Sequence, residues 1–215
     1  MKRRNLLAGM AALLATGCSK IGETAWFAGL VDGAESWHRA LHRRLGVGRL
    51  PMAPEYAKVD ISPFFRGNGS LTVGSPDYAT ALAAGFPDWR LAVSGLVEQP
   101  LSLSLADLAA LPQRTQITRH DCVEGWSAIG EWTGPQLSAV LTLAGLRPEA
   151  RFVVFHCADV LRGTASYESC DMEDALHPQT ILCLTYADKP ITPPFGAPMR
   201  LKIPTKLGFK QPKFV

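Results

Sequence analysis

Arg119-His120-Asp121-Cys122-Val123-Glu124-Gly125-Trp126-Ser127 is the stretch on which the reading of this chain turns. A single thiol stands there beside a cation, an imidazole and two carboxylates. It follows an alternating segment, Gln116 to His120, and precedes a Gly-Trp turn. That placement predicts a reactive or metal-binding sulfur at a strand end rather than a filler of the core. Arg119 and His120 both favour the deprotonated thiol, which is the nucleophile and the metal ligand.

The segments around this run alternate between short strands and short helices. Arg90 to Val97 alternates like a half-buried strand. Ser104-Leu105-Ala106-Asp107 resembles a capping box and opens a helix that ends before Pro112. Thr133-Gly134-Pro135 is expected to start a helix through Leu137, Val140, Leu141 and Ala144, with Gly145 as its stop. Phe152 to Phe155 reads as a buried strand, and Thr180 to Tyr186 and Met199 to Ile203 as two more. Gly67-Asn68-Gly69-Ser70 is a turn, and on local grounds Asn68 is a turn residue that tolerates positive φ. Regular patterning begins near Trp89, and the whole predicts an α+β domain. Lys213-Phe214-Val215 looks like the opening of a strand.

Upstream, Lys2-Arg3-Arg4 and the apolar run Leu6 to Ala15 read as an export signal, too short for a typical membrane span. Arg3-Arg4-Asn5-Leu6-Leu7 fits a twin-arginine pattern loosely. Ala15-Thr16-Gly17-Cys18 fits a lipoprotein box, in which a lipidated Cys18 tethers the mature protein to a membrane. The expected organisation is an export segment at 1–20, a tether and N-terminal extension at 21–60, and a domain at 61–215 whose last strand is cut short. Within the tether, Trp37 to Leu45 predicts a short helix with Trp37, Leu41 and Leu45 on one side and basic residues beside them. Such a helix suits a membrane surface or docks on the domain.

Composition narrows the function. The 215 residues carry 22 basic and 19 acidic side chains and are 47% hydrophobic, so the chain has material for a core and no basic excess for a nucleic-acid partner. Of the remaining cysteines, Cys157 and Cys183 are expected to be buried thiols on strands, and Cys170 has no assignable role. No zinc spacing, phosphate-binding glycine loop or Gly-x-Ser-x-Gly occurs. A cysteine hydrolase using Cys122 with His156 or His177 stays open. So does a single thiolate ligating a metal that a cofactor mainly holds, with Arg200 and Lys206-Leu207-Gly208-Phe209-Lys210 binding the cofactor's anionic part.

The run around Cys122 resembles the core motif of the sulfite oxidase family of molybdopterin-dependent oxidoreductases, in particular its exported bacterial branch. The likeness extends from about Pro63 to Val215. It includes Trp89-Arg90-Leu91, Gly95-Leu96-Val97, Trp132-Thr133-Gly134, His177-Pro178-Gln179-Thr180, Gly196-Ala197-Pro198-Met199-Arg200-Leu201 and Gly208-Phe209-Lys210. The resemblance implies an α+β, sulfite-oxidase-type molybdopterin-binding domain with mixed β-sheets and short helices. It implies a molybdenum-molybdopterin cofactor with Cys122 as the metal's protein ligand. It places Asn68 and Cys157 in the cofactor pocket, and Arg200, Gly208, Phe209 and Lys210 at the cofactor's phosphate end. Phe195 stands where relatives carry His or Asn to bond the cofactor, a contact phenylalanine cannot make. Arg119 is the candidate for holding a polar or anionic substrate, with a structural salt bridge as its other reading. The implied activity is oxygen-atom transfer on a small substrate, sulfoxide reduction ahead of sulfite oxidation. The implied redox partner carries heme, as a membrane cytochrome b or a soluble cytochrome c. The implied location is the periplasm. The alternative is a degenerate, cofactor-free binding or scaffold protein of the same fold.

Overall fold

The computed structural model describes residues 24–44, 51–161 and 163–215. The expected export signal, Cys18 and Leu45 lie outside them. The chain divides into two compact units, Met1–Arg49 and Leu50–Val215. Among the described residues of the first, a long helix, α1 (Ala25–Arg44), replaces the short one expected from Trp37. Trp26 and Leu30 carry the same apolar register as Trp37 and Leu41, with no proline between, so the periodicity starts earlier than Trp37.

The second unit begins with irregular chain and then an unforeseen helix, α2 (Pro76–Ala83). Ser75 caps it by accepting from the Tyr78 N–H, and Pro76 fills the first turn. Strands β1 (Leu91–Val93) and β2 (Leu101–Leu103) pair antiparallel. The strand expected over Arg90–Val97 is shorter because Gly95, at φ 95°, turns the chain. Helix α3 (Leu105–Ala110) carries the Ser104–Asp107 capping box that the sequence indicates.

Strands β3 (Gln113–Asp121) and β4 (Ser127–Pro135) form a hairpin in unbroken register from Gln113↔Pro135 to Asp121↔Ser127. Thr133-Gly134-Pro135 therefore ends a strand and does not open a helix. Helix α4 (Leu137–Ala144) follows, and Gly145 stops it at φ 69°. Gly134 serves close approach: a Cβ there would lie 2.0 Å from the Leu182 carbonyl oxygen. Strands β5 (Phe152–Leu161) and β6 (Thr164–Asp171) make a second hairpin, bulged between His156 and Val160. The buried strand expected at Phe152–Phe155 is half exposed instead. Phe155 is buried and Phe152 is not, and Cys157 is only partly covered.

Helix α5 (Met172–Ala175) leads to β7 (Ile181–Cys183), β8 (Thr185–Tyr186), β9 (Lys189–Pro190) and β10 (Arg200–Lys202). The expected strand Thr180–Tyr186 breaks at Leu184 into β7 and β8, and Met199–Ile203 is trimmed to β10. The sheets are antiparallel: β3-β4-β8-β9, β7-β10, β1-β2 and β5-β6. This is an α+β domain of several small sheets and short helices.

Two apolar clusters hold it together. One is aromatic, with Phe65 against Trp132 and Tyr78 against Phe86 and Phe214. The other is aliphatic, where Leu137 and Leu141 of α4 meet Leu182 of β7 and Leu201 of β10. Lys213–Val215 adopts no strand. Phe214 turns at φ 57° to place its ring in the aromatic cluster, and its carbonyl accepts from the Ala158 N–H.

Candidate functional site

Alternation on β3 builds the site. Gln116, Thr118 and His120 point inward and are buried, an unusual polar stripe for a core face. Cys122, two residues beyond His120, continues that side and is 7% exposed. The loop beyond the strand is closed by two backbone bonds, Cys122 N–H to the Trp126 carbonyl and Gly125 N–H to the Cys122 carbonyl. Gly125 takes φ 86°, which an L side chain rarely adopts. The amide nitrogen of Asn68 lies 3.7 Å from the Cys122 sulfur. A turn residue by local reading, Asn68 thus meets the thiol across 54 positions of sequence.

Arg119 has the opposite parity, and its side chain is 56% exposed. Its Nε donates to Asp121 at 2.8 Å. It therefore forms the salt bridge that was its second reading. His177, one of the two bases considered for a hydrolase, accepts the Gln179 N–H at its Nδ1.

Three cations gather near His120 and Asn68, with Arg200 and Lys202 buried and Lys213 partly buried. Arg200 and Lys202 share one side of β10, and both are fully buried. Both stand over the Trp132 ring, Arg200 Cζ at 5.2 Å and Lys202 Nζ at 4.7 Å. Arg200 donates to the carbonyls of Gln211 and Phe195, and its Nε has no partner. Lys202 Nζ sits 3.2 Å from His120 Nδ1. Lys213 donates to the carbonyls of Asn68, Ser70 and Pro194. Among the described residues, none of these three cations has a carboxylate at ion-pair distance. Burial, then the neighbouring Arg200, pulls Lys202 well below the ordinary lysine range, and burial takes Lys213 down to about 8.

The other basic residues of the tail are committed elsewhere. Lys206 pairs with Asp174 at 3.1 Å, and Lys210 with Glu168 at 2.6 Å. Phe209 is half exposed. Gly208 presses on the site: a Cβ there would meet His120 Nε2 at 2.5 Å. The Phe195 ring stacks on Tyr186, with centroids 4.7 Å apart, and also faces Phe65 and Trp132. To Arg200 it offers its backbone carbonyl. Cys157 sits on β5, its thiol pushed up to about 12 by burial and by Asp159 and Glu168, which makes it a poor anion.

His120, Lys202 and Lys213 are the site candidates that the sequence reading missed. Two signals were present: inward parity with Cys122 for His120, and i, i+2 spacing from Arg200 for Lys202. His120 is fully buried. Burial first, then Lys202 and Arg200, pushes its pKa down to about 2, so the ring is neutral. The unfolded chain takes up a proton below pH 6.5 that the folded ring refuses, so acid removes stability in that range. The cofactor-free chain is expected to lose up to about 1.4 kcal/mol per pH unit below 6.5 through this group. Urea melts on either side of that pH should show a smaller loss in His120→Gln. An equal loss in both proteins would remove His120 as the cause.

The arrangement fits a molybdopterin group. Among the described residues no cluster of three or more His, Cys, Asp or Glu could hold a metal ion alone. One buried sulfur can still complete a metal whose other ligands come from a cofactor. Uncompensated buried cations call for an anion, and His120 Nε2 and Arg200 Nε lack partners.

Comparison with known proteins gives the same direction. The family described as "oxidoreductase molybdopterin binding domain" matches residues 79–215. A protein-methionine-sulfoxide reductase subunit of Azospira oryzae, YedZ1, is 44% identical over 164 residues, covering 76% of this chain and 59% of the relative. The protein-methionine-sulfoxide reductase catalytic subunit MsrP of Campylobacter jejuni is 36% identical over 151 residues, 64% of this chain and 51% of the relative. The chain thus spans little more than half the length of either. The crystal structure of the sulfane dehydrogenase SoxCD of Paracoccus pantotrophus superposes with a TM-score of 0.54 at 26% identity, over 59% of this chain and 36% of that one.

Proposed function

Since the chain belongs to the molybdopterin-binding oxidoreductase domain family, we propose that it is the catalytic part of an exported enzyme that reduces a sulfoxide. Its cofactor is molybdenum-molybdopterin, and Cys122 is the protein's ligand to the metal. The observation that carries this reading is a buried thiol at a strand end, with Asn68 beside it, in a fold whose cations Arg200, Lys202 and Lys213 have no carboxylate at ion-pair distance among the described residues.

When bound, the cofactor supplies two-electron oxygen-atom transfer. The chain's own residues hold and orient it. Asn68 donates toward the Cys122 sulfur and fixes its direction. Arg200, Lys202 and Lys213 bind the cofactor's anionic parts, whose charge offsets the burial that lowers the Lys202 pKa. The hydrogen bond between His120 Nδ1 and Lys202 Nζ keeps that amine aimed. Lys206 and Lys210, tied to Asp174 and Glu168, brace the tail so that Gly208 lies against His120.

The reaction consumes a sulfoxide, two electrons and two protons, and gives a thioether and water. The names of both relatives favour this direction. So does Arg119, which would have to leave Asp121 to hold an anion such as sulfite. Both relatives are named as subunits, which supports electron delivery by a second protein, a heme-carrying membrane cytochrome b or soluble cytochrome c. Periplasmic location follows the twin-arginine reading of the leader, with Cys18 as the lipid-bearing residue.

Cofactor-loaded protein, given a reduced dye, should turn over methionine sulfoxide. Its sulfite oxidation should be slower by about a hundredfold or more, or about 2.7 kcal/mol of transition-state discrimination. Faster oxidation of sulfite than reduction of any sulfoxide or N-oxide would overturn the assignment.

A further inference from the structure

Helix α1 carries an apolar stripe that the catalytic reading does not use. Trp26, Leu30, Trp37 and Leu41 recur at spacings that keep them on one side of a helix, with Gly33 between them. All four are open to solvent: Trp26 is 65% exposed, Leu30 47%, Trp37 67% and Leu41 52%. Asp32 and Ser36 fall away from that stripe by register. Charge is divided along the helix as well. After Glu35 the sequence holds Arg39, Arg43 and Arg44 with His38 and His42, and no acid.

We propose that α1 lies flat on an anionic lipid bilayer, its stripe of Trp26, Leu30, Trp37 and Leu41 among the acyl chains and its arginine-rich end among phosphate headgroups. The charge pattern selects this occupant, because a basic end beside an apolar stripe matches an anionic surface. The stripe's composition argues against a second copy of the helix. Two tryptophans and a central glycine make poor knobs for a helix–helix seam, which prefers Leu, Ile and Val. Tryptophan is instead favoured where hydrocarbon meets headgroup. No described helix is long and apolar enough to cross a membrane, and α1 carries Asp32, Glu35 and Arg39 in its middle. The geometry therefore fits a helix in the plane of the surface.

The proposal is independent of the catalytic reading, and its failure would leave that reading untouched. The test uses the full chain with Cys18→Ala, so that no lipid on that residue contributes. Binding is read by co-sedimentation with phosphatidylglycerol vesicles and with phosphatidylcholine vesicles, and by the blue shift of tryptophan emission. The anionic vesicles should bind the chain more tightly, and added salt should weaken that binding. Trp37→Glu and Leu30→Glu should each lower binding about tenfold or more, because each puts a charge into the apolar stripe. Ser36→Glu adds the same charge on the other side and should lower it less than about threefold.

Equal losses from Trp37→Glu and Ser36→Glu would overturn the proposal, since the leader could then be the binding element. Equal binding to both vesicle types would overturn the charge argument and with it the choice of occupant. No vesicle binding, with self-association abolished by Trp37→Glu, would reassign the stripe to a second copy of the chain.

Discussion

Cys122→Ser is expected to abolish turnover while leaving the fold in place. The serine oxygen is smaller and harder than a thiolate sulfur, and it does not ionise near neutral pH. The variant would thus leave the cofactor's metal without its protein ligand. A loss of about a thousandfold or more, or about 4 kcal/mol of barrier, is the expected scale. The fold should tolerate the change, because the loop is closed by main-chain bonds from Cys122 N–H and Gly125 N–H, which the side chain does not make. Asn68 stands ready to donate to the new hydroxyl. Stability should therefore change by no more than about 1 kcal/mol. Activity assays and urea melts on the same preparations separate the two effects. Retained wild-type turnover would refute the ligand assignment, and a collapsed melt would make Cys122 a structural residue.

Lys202→Met should move stability and cofactor content in opposite directions. In the cofactor-free chain, Lys202 is fully buried against Trp132 and a neutral His120, with Arg200 nearby. Removing such an uncompensated buried cation for an apolar side chain of similar length should stabilise the empty protein by about 1–4 kcal/mol. The same change removes a charge-assisted bond to the cofactor's anionic part, worth about 1.5–3 kcal/mol, so cofactor content should fall about tenfold or more. Arg200→Met should behave alike and add the loss of its two bonds to main-chain carbonyls. Urea melts of empty protein and metal analysis of loaded protein give the two readings. A fall in both would mean that these cations support the fold, and the anion-binding role would be lost.

The sequence exposed the thiol more readily than its surroundings. Alternation before Cys122 was visible, and so were the capping box at Ser104 and the stop at Gly145, because each depends on residues a few positions apart. The role of Gly134 was not visible, since Gly-Pro reads locally as a helix start. Only the passage of Leu182 beside it shows why glycine is there. The tail shows the same limit. Sequence treats Arg200, Lys202, Lys206, Lys210 and Lys213 alike as basic residues. The fold sorts them by bringing Asp174 to Lys206 and Glu168 to Lys210, while among the described residues the other three have no carboxylate at ion-pair distance. The contact of Asn68 with Cys122 likewise needs the tertiary fold. Phe195 drew notice only through the family resemblance, and in the fold its ring stacks on Tyr186 and meets Phe65 edge-on.

The central claim is that Cys122 and the cations Arg200, Lys202 and Lys213 hold a molybdenum-pterin group. Molybdenum and pterin should be measured together on folded protein purified from a host that makes the cofactor. The account predicts about one of each per chain, and molybdenum lost in Cys122→Ser. Folded protein that carries neither molybdenum nor pterin would contradict it and leave the fold as a cofactor-free scaffold.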